Sequence, residues 1–142
     1  MSRAEKAKEY FIQGFNCSQA VALAFADCTD VSEETIGKIM QPFGGGVGRL
    51  RLTCGAISGM VAVVGLVFGK NEAGNSKKET YAIVQELCNR FKLKNGSLIC
   101  EELLTGTHLS GNAEGYKKKP CAELVYDAAQ ILEEYLTEKG KL

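Results

Sequence analysis

The chain has 142 residues, 45% of them hydrophobic, with no Trp and with 17 basic residues balancing 17 acidic ones. That length can bury a single core without disulfide staples, and the balanced charge removes any general attraction to nucleic acid or an anionic membrane. The charged opening run from Met1 to Phe11 lacks the apolar stretch of a secretory signal, so a cytoplasmic, reducing setting is expected, in which cysteines are more often catalytic, redox-sensing or metal-binding than permanently bridged.

Apolar residues recur with a helical period and no segment alternates like a strand, which predicts an all-α, single-domain helical bundle over residues 1–142. A first helix runs from about Ser2 to Gln13 and Gly14 ends it. The second carries Cys17, Ala20, Val21, Ala24, Phe25 and Cys28 along one stripe. A third starts at Ser32 and buries Ile36, Ile39, Met40 and Phe43. Residues 52–68 carry no charge and approach the roughly 18 residues of a membrane span. Thr53, Ser58 and glycines 55, 59 and 65 interrupt them, so a buried central helix from Thr53 to about Phe68 is predicted instead, with Gly55 and Gly59 permitting close packing. After a polar loop with Asn71, Gly74 and Asn75, a long helix presents Tyr81, Val84, Leu87, Cys88 and Phe91. A short helix over Ser97–Leu104 and a loop over residues 105–119 lead to a last helix with Leu124, Val125, Ala128, Ile131, Leu132 and Tyr135 inward.

Four of the six cysteines follow helix-start signals: Cys17 after Asn16, Cys54 after Thr53, Cys100 between Ser97 and Glu101-Glu102, and Cys121 after Pro120. Unpaired N–H groups and the positive end of the helix dipole favour a thiolate there, lowering a thiol from about 8.5 toward 7. Such a thiol is a nucleophile, a redox group or a metal ligand. Cys28, at a helix C-terminus, and Cys88, mid-helix on an apolar face, are expected to be core residues. If the four helix starts meet at one end of the bundle, four sulfurs meet the ligand count of zinc or of an iron–sulfur cluster, although no Cys-x-x-Cys pair is present.

The loop Phe43-Gly44-Gly45-Gly46-Val47-Gly48-Arg49 leads directly to Cys54. It lacks the Gly-Lys-Ser/Thr ending of a phosphate loop, so Gly44, Gly45 and Gly46 are expected to wrap the cysteine site, with Arg49 and Arg51 offsetting thiolate or cluster charge; a flexible linker is the plainer alternative. His108, the single histidine, and Lys117-Lys118-Lys119 are expected to be solvated, the lysines also able to guide an acidic redox partner toward Cys121.

Taken together, Phe15-Asn16-Cys17-Ser18-Gln19-Ala20-Val21, Phe43-Gly44-Gly45-Gly46, Cys54-Gly55-Ala56 with Gly59, Gly96-Ser97 before Cys100-Glu101-Glu102-Leu103-Leu104, and Cys121 with Leu124-Val125 resemble the C-GCAxxG-C-C family, described as redox-active. The ordered set spans most of the chain and marks the same four cysteines. Thr53 precedes Cys54 and Gly55 follows it, where the family label has Gly ahead of its second Cys. The family is similar to the iron–sulfur portion of split-Soret cytochromes, which implies a [2Fe-2S] centre with electron transfer to a partner.

The expected function is therefore a redox protein using Cys17, Cys54, Cys100 and Cys121 either as an iron–sulfur site or as a dithiol/disulfide site; the sequence does not assign attacking and resolving thiols, although Cys54, beside two arginines, is the better attacker. The alternative is a non-enzymatic structural or binding domain whose cysteines hold zinc or pack in the core without any cofactor. A redox partner protein is expected, a homo-oligomer is compatible with the sequence, and neither nucleic acid nor membrane is called for.

Overall fold

A computed structural model describes residues 1–109 and 115–142; residues 110–114 of the predicted 105–119 loop lie outside the described residues. Among the described residues the regular structure is helical, without strands. The first helix, Arg3–Ile12, is capped by Ser2. The Cys17 helix spans Cys17–Leu23, and a short turn over Ala26–Cys28 follows it. The Ile36 helix covers Glu33–Met40, the Cys54 helix Gly55–Phe68 and the long helix Lys77–Asn95. The Cys100 helix, Cys100–Thr105, and the Cys121 helix, Cys121–Glu138, complete the order.

One hydrophobic core joins these helices, and Phe25, Met60, Leu87, Phe91, Leu132 and Leu136 are its largest fully buried side chains. Burying each such side chain stabilises the fold by roughly 1.5–3 kcal/mol before chain entropy is counted. Every inward residue predicted for the Cys121 helix is buried. Asp127 is buried on that helix too, paired with Lys119 and, at 3.2 Å, with Lys94, which ties the segment before Cys121 to the long helix.

Three expectations change. Ile39 is 56% exposed, because the Ile36 helix turns Ile36 and Met40, four residues apart, onto the core and leaves Ile39 at its edge. Phe43 is likewise exposed, outside that helix in a short turn over Gln41–Phe43. Tyr81 is 58% exposed, because it precedes the part of the long helix that carries the buried pair Leu87 and Phe91. The Cys54 helix buries Ala56, Ile57, Gly59, Met60, Val63 and Val64 on one face but exposes Leu66, so it is less enclosed than its uniform apolarity predicts. Among the described residues no helix is long and apolar enough to cross a membrane.

Close helix contact depends on glycine where the Cys17 and Cys54 helices cross. A Cβ on Gly59 would lie 2.6 Å from the Ser18 carbonyl oxygen, and one on Gly55 would lie 2.2 Å from the Cys17 sulfur. The Gly55-xxx-Gly59 spacing therefore sets the approach of two cysteine-bearing helix starts.

Candidate functional site

The Cys17 start is built from its own sequence. Asn16 caps the helix through the Gln19 N–H, and the Gln19 side chain returns a bond to the Asn16 N–H, forming a capping box. The Gln19 amide also donates to the Gly37 carbonyl at 2.8 Å, and the buried Ser18 hydroxyl bonds the Asn16 side chain and the Met40 carbonyl, each at 2.7 Å. These bonds pin Cys17, the first residue of its helix, against the Ile36 helix.

Cys54 and Cys100 are brought together by long-range backbone pairing. Thr53 and Ile99 form an isolated antiparallel bridge, in which the Cys54 N–H donates to Leu98 at 2.8 Å and the Cys100 N–H to Leu52 at 2.6 Å. Cys54 is itself the N-cap, a place the sequence assigns to Thr53, and its helix starts at Gly55. Ser97 does not cap the Cys100 helix directly; its hydroxyl accepts from the Ile99 N–H and donates to Glu102. Cys121 opens its helix directly after Pro120 and is exposed.

Between these starts runs a left-handed turn. Gly45, Gly46, Val47, Gly48 and Arg49 are consecutive left-handed residues, with φ of 66, 72, 65, 58 and 66°, and Arg51 follows at 63°. Left-handed backbone costs a non-glycine residue roughly 1–2 kcal/mol, and a β-branched residue such as Val47 is an outlier there. Hydrogen bonds from Gly48 to the Pro42 carbonyl at 2.8 Å and from Leu52 to the Gly46 carbonyl at 2.9 Å hold the turn closed. A Cβ on Gly46 would sit 2.7 Å from that of Cys100, so the turn packs directly on Cys100.

The result is one cavity of about 670 Å³ lined by all four helix-start cysteines. Gly44, Gly45, Arg49 and Arg51 also line it, while Gly46 lies behind, packed on Cys100. The apolar wall, comprising Phe11, Phe15, Leu103, Leu104 and Leu124, was not predicted, and neither were Gln41 and Pro42. The Asn16-x-x-Gln19 capping box was the sequence signal for the Cys17 end of this wall; nothing local marked the rest. Cys28 and Cys88 are half-buried against the core, away from the cavity, as expected. His108 packs edge-on against Tyr116 at 6.0 Å and lies outside the cavity. Lys119 is bound to Asp127 and Asn95, so of the three lysines only Lys117 and Lys118 are exposed and without such a tie among the described residues.

Burial reverses the expected activation of two thiols. It pushes Cys17 up from the ordinary thiol range, against the Gly45 backbone N–H, while neighbouring Cys121 adds to the rise. Cys54, only 6% exposed, is pushed up to about 12 by burial, with the Ala56 and Ile57 N–H groups pulling the other way and Cys17 and Cys100 adding to the rise. The helix-start N–H groups act in the predicted direction, but desolvation is larger. Arg51 donates to Cys100, at 3.7 Å, rather than to Cys54.

The four thiols are thus electrostatic neighbours in the order Cys121, Cys17, Cys54, Cys100. All six cysteines are free thiols. Four sulfurs have the chemistry and number of a [2Fe-2S] or zinc donor set, but among the described residues no three His, Cys, Asp or Glu side chains stand together closely enough to hold a metal ion.

The raised Cys54 pKa makes stability depend on pH. A thiol that keeps its proton in the folded state contributes fully below the unfolded value of about 8.5–9, and that contribution is lost as pH rises toward 12. Cys54→Ser should therefore lose less unfolding free energy than the parent between about pH 9 and 11, by up to about 1.4 kcal/mol per pH unit. Urea titrations at several pH values check this, and parallel curves would show that Cys54 ionises freely in the folded protein.

No curated protein and no solved structure matches the chain significantly. A family model matches residues 15–135, which include all four cavity cysteines and the left-handed turn. On that match the chain belongs to the C_GCAxxG_C_C family, described as "Putative redox-active protein".

Proposed function

We propose that Cys17, Cys54, Cys100 and Cys121 form a thiol–disulfide redox site, with Cys100 as the attacking sulfur and Cys54 as the resolving one. The observation that carries this reading is four free thiols, from four helix starts, lining one cavity as electrostatic neighbours. Cys54 is a poor attacker: with its pKa at about 12, only on the order of one molecule in 10⁵ carries the thiolate at pH 7. Cys100 is half-buried at the cavity, in contact with a guanidinium. Its thiolate attacks one sulfur of a substrate disulfide, forming a mixed disulfide and releasing the other sulfur as a thiolate. As the Cys54 proton passes to that leaving thiolate, the Cys54 sulfur attacks the Cys100 sulfur, the Cys100–substrate bond breaks, and the second sulfur leaves as a thiolate that takes from solvent the proton Cys100 had given up. The substrate disulfide is reduced by two electrons and the Cys54–Cys100 pair is oxidised. Cys17 and Cys121 form the neighbouring pair that exchanges with it. Lys117 and Lys118, exposed ahead of Cys121, favour an acidic protein as the reductant that restores the thiols.

Anaerobically purified protein, oxidised stepwise with a disulfide reagent and mapped by mass spectrometry, tests the reading when the same sample is analysed for iron, sulfide and zinc. Reversible loss of thiols in pairs, with Cys54 joined to Cys100, is the expected result. Iron and sulfide in equal amounts, with visible bands that vanish in the Cys17→Ser, Cys54→Ser double variant, would replace it with an electron-carrying cluster. Zinc alone, with stability that falls on chelation, would favour a structural domain.

A further inference from the structure

The polar part of the cavity is one-sided. Its lining includes Arg49 and Arg51, with the amides of Asn16 and Gln41, and contains no carboxylate. The described ion pairs involve neither arginine, so among the described residues neither has a carboxylate partner. Both are also held at cost: φ is 66° at Arg49 and 63° at Arg51, where glycine, already used at 45, 46 and 48, would be unstrained. Residues held in left-handed backbone cluster at active sites and ligand clamps. The opposite wall is apolar, and a volume of about 670 Å³ falls in the range of small-molecule sites, roughly 300–1,000 Å³.

From this geometry we infer that the cavity receives a low-molecular-weight disulfide bearing carboxylates, whose acid group meets Arg49 and Arg51 and whose aliphatic body lies along Phe15, Leu103 and Leu104. The inference rests on the thiol-exchange reading for the fate of the disulfide bond, and the anion site stands separately from it. Arg51 reaches both the Cys100 sulfur and the space beside Gly45, so an acid group bound there brings a sulfur a few bonds away toward Cys100. Electrostatic attraction then selects anionic disulfides over cationic ones of the same length.

Dithiodipropionate and cystamine differ in the sign of their end groups on nearly the same chain, and suberate reproduces the former without its disulfide. With each rate divided by that of the same disulfide with a small neutral thiol, which cancels the leaving-group difference, single-turnover oxidation of the reduced protein should be at least about tenfold faster with dithiodipropionate than with cystamine, and added salt should shrink the ratio. Arg49→Gln should bring the ratio close to one, since any change in the thiol itself cancels between the two reagents. Suberate should shift the NMR signals of cavity residues in the parent protein and not in Arg49→Gln. Equal rates with both disulfides in the parent, together with no suberate binding, would overturn the anion site while leaving thiol exchange intact. Suberate binding without oxidation by either disulfide would uphold the anion site and remove the exchange reading. Because the rate ratio and its salt dependence are read on the unmodified protein, the test survives a variant that fails to fold.

Discussion

Gly46→Ala should destabilise the protein by about 3 kcal/mol, the sum of two costs. The left-handed φ of 72° adds about 1–2 kcal/mol for any L side chain, and a Cβ would stand 2.7 Å from the Leu52 nitrogen, 2.8 Å from the Arg51 Cα and 2.7 Å from the Cys100 Cβ. Two of those neighbours are backbone of the same closed turn, so no flexible side chain can yield. Urea unfolding would read the loss as a lower midpoint at unchanged slope. Gly65→Ala is the matched control, because nothing lies within 4 Å of its Cβ position in the Cys54 helix, and helix propensity there favours Ala by up to about 1 kcal/mol. A drop below about 1 kcal/mol for Gly46→Ala would mean that the turn relaxes, and the argument that it is fixed around Cys100 would fail.

Cys100→Ser and Cys54→Ser should separate the two steps of exchange. Compared in a Cys121→Ser background, which removes the exposed thiol of the cavity, Cys100→Ser should slow attack on a small disulfide by at least about tenfold, since burial favours the protonated form of Cys17 and Cys54. With Cys54 replaced, attack should continue but stop at a mixed disulfide on Cys100, which mass spectrometry of the quenched protein detects. Unchanged attack in Cys100→Ser would remove Cys100 as the nucleophile, and release of both product thiols by Cys54→Ser would remove Cys54 as the resolving group. Near-normal far-UV spectra are expected for both, because the Cys54 and Cys100 backbone N–H groups, which make the bonds to Leu98 and Leu52, are kept.

The predicted helices correspond to observed ones because their signals are local: apolar spacing, a Ser or Asn cap, a Gly or Pro stop. The Cys121 helix shows this best, since its inward stripe needs nothing but a 3.6-residue period. Cys17 as the first residue of a capped helix was legible for the same reason, and Gly55 and Gly59 were legible as a close-packing pair.

The sequence by itself also determined which cysteines open helices, together with the glycine loop and two arginines beside them. Only the tertiary structure decided what those thiols became. The Thr53–Ile99 bridge joins segments with no alternating pattern, and it sets Cys54 beside Cys100 across a separation in sequence that no local signal records. The same packing sealed Cys54 from water, so desolvation, which sums over every neighbouring atom, outweighed the few N–H groups of its own helix start. Helix-start chemistry is local and can be read from a few residues; burial is a property of the whole fold, and it holds the Cys54 thiol protonated where its helix start alone would favour the thiolate.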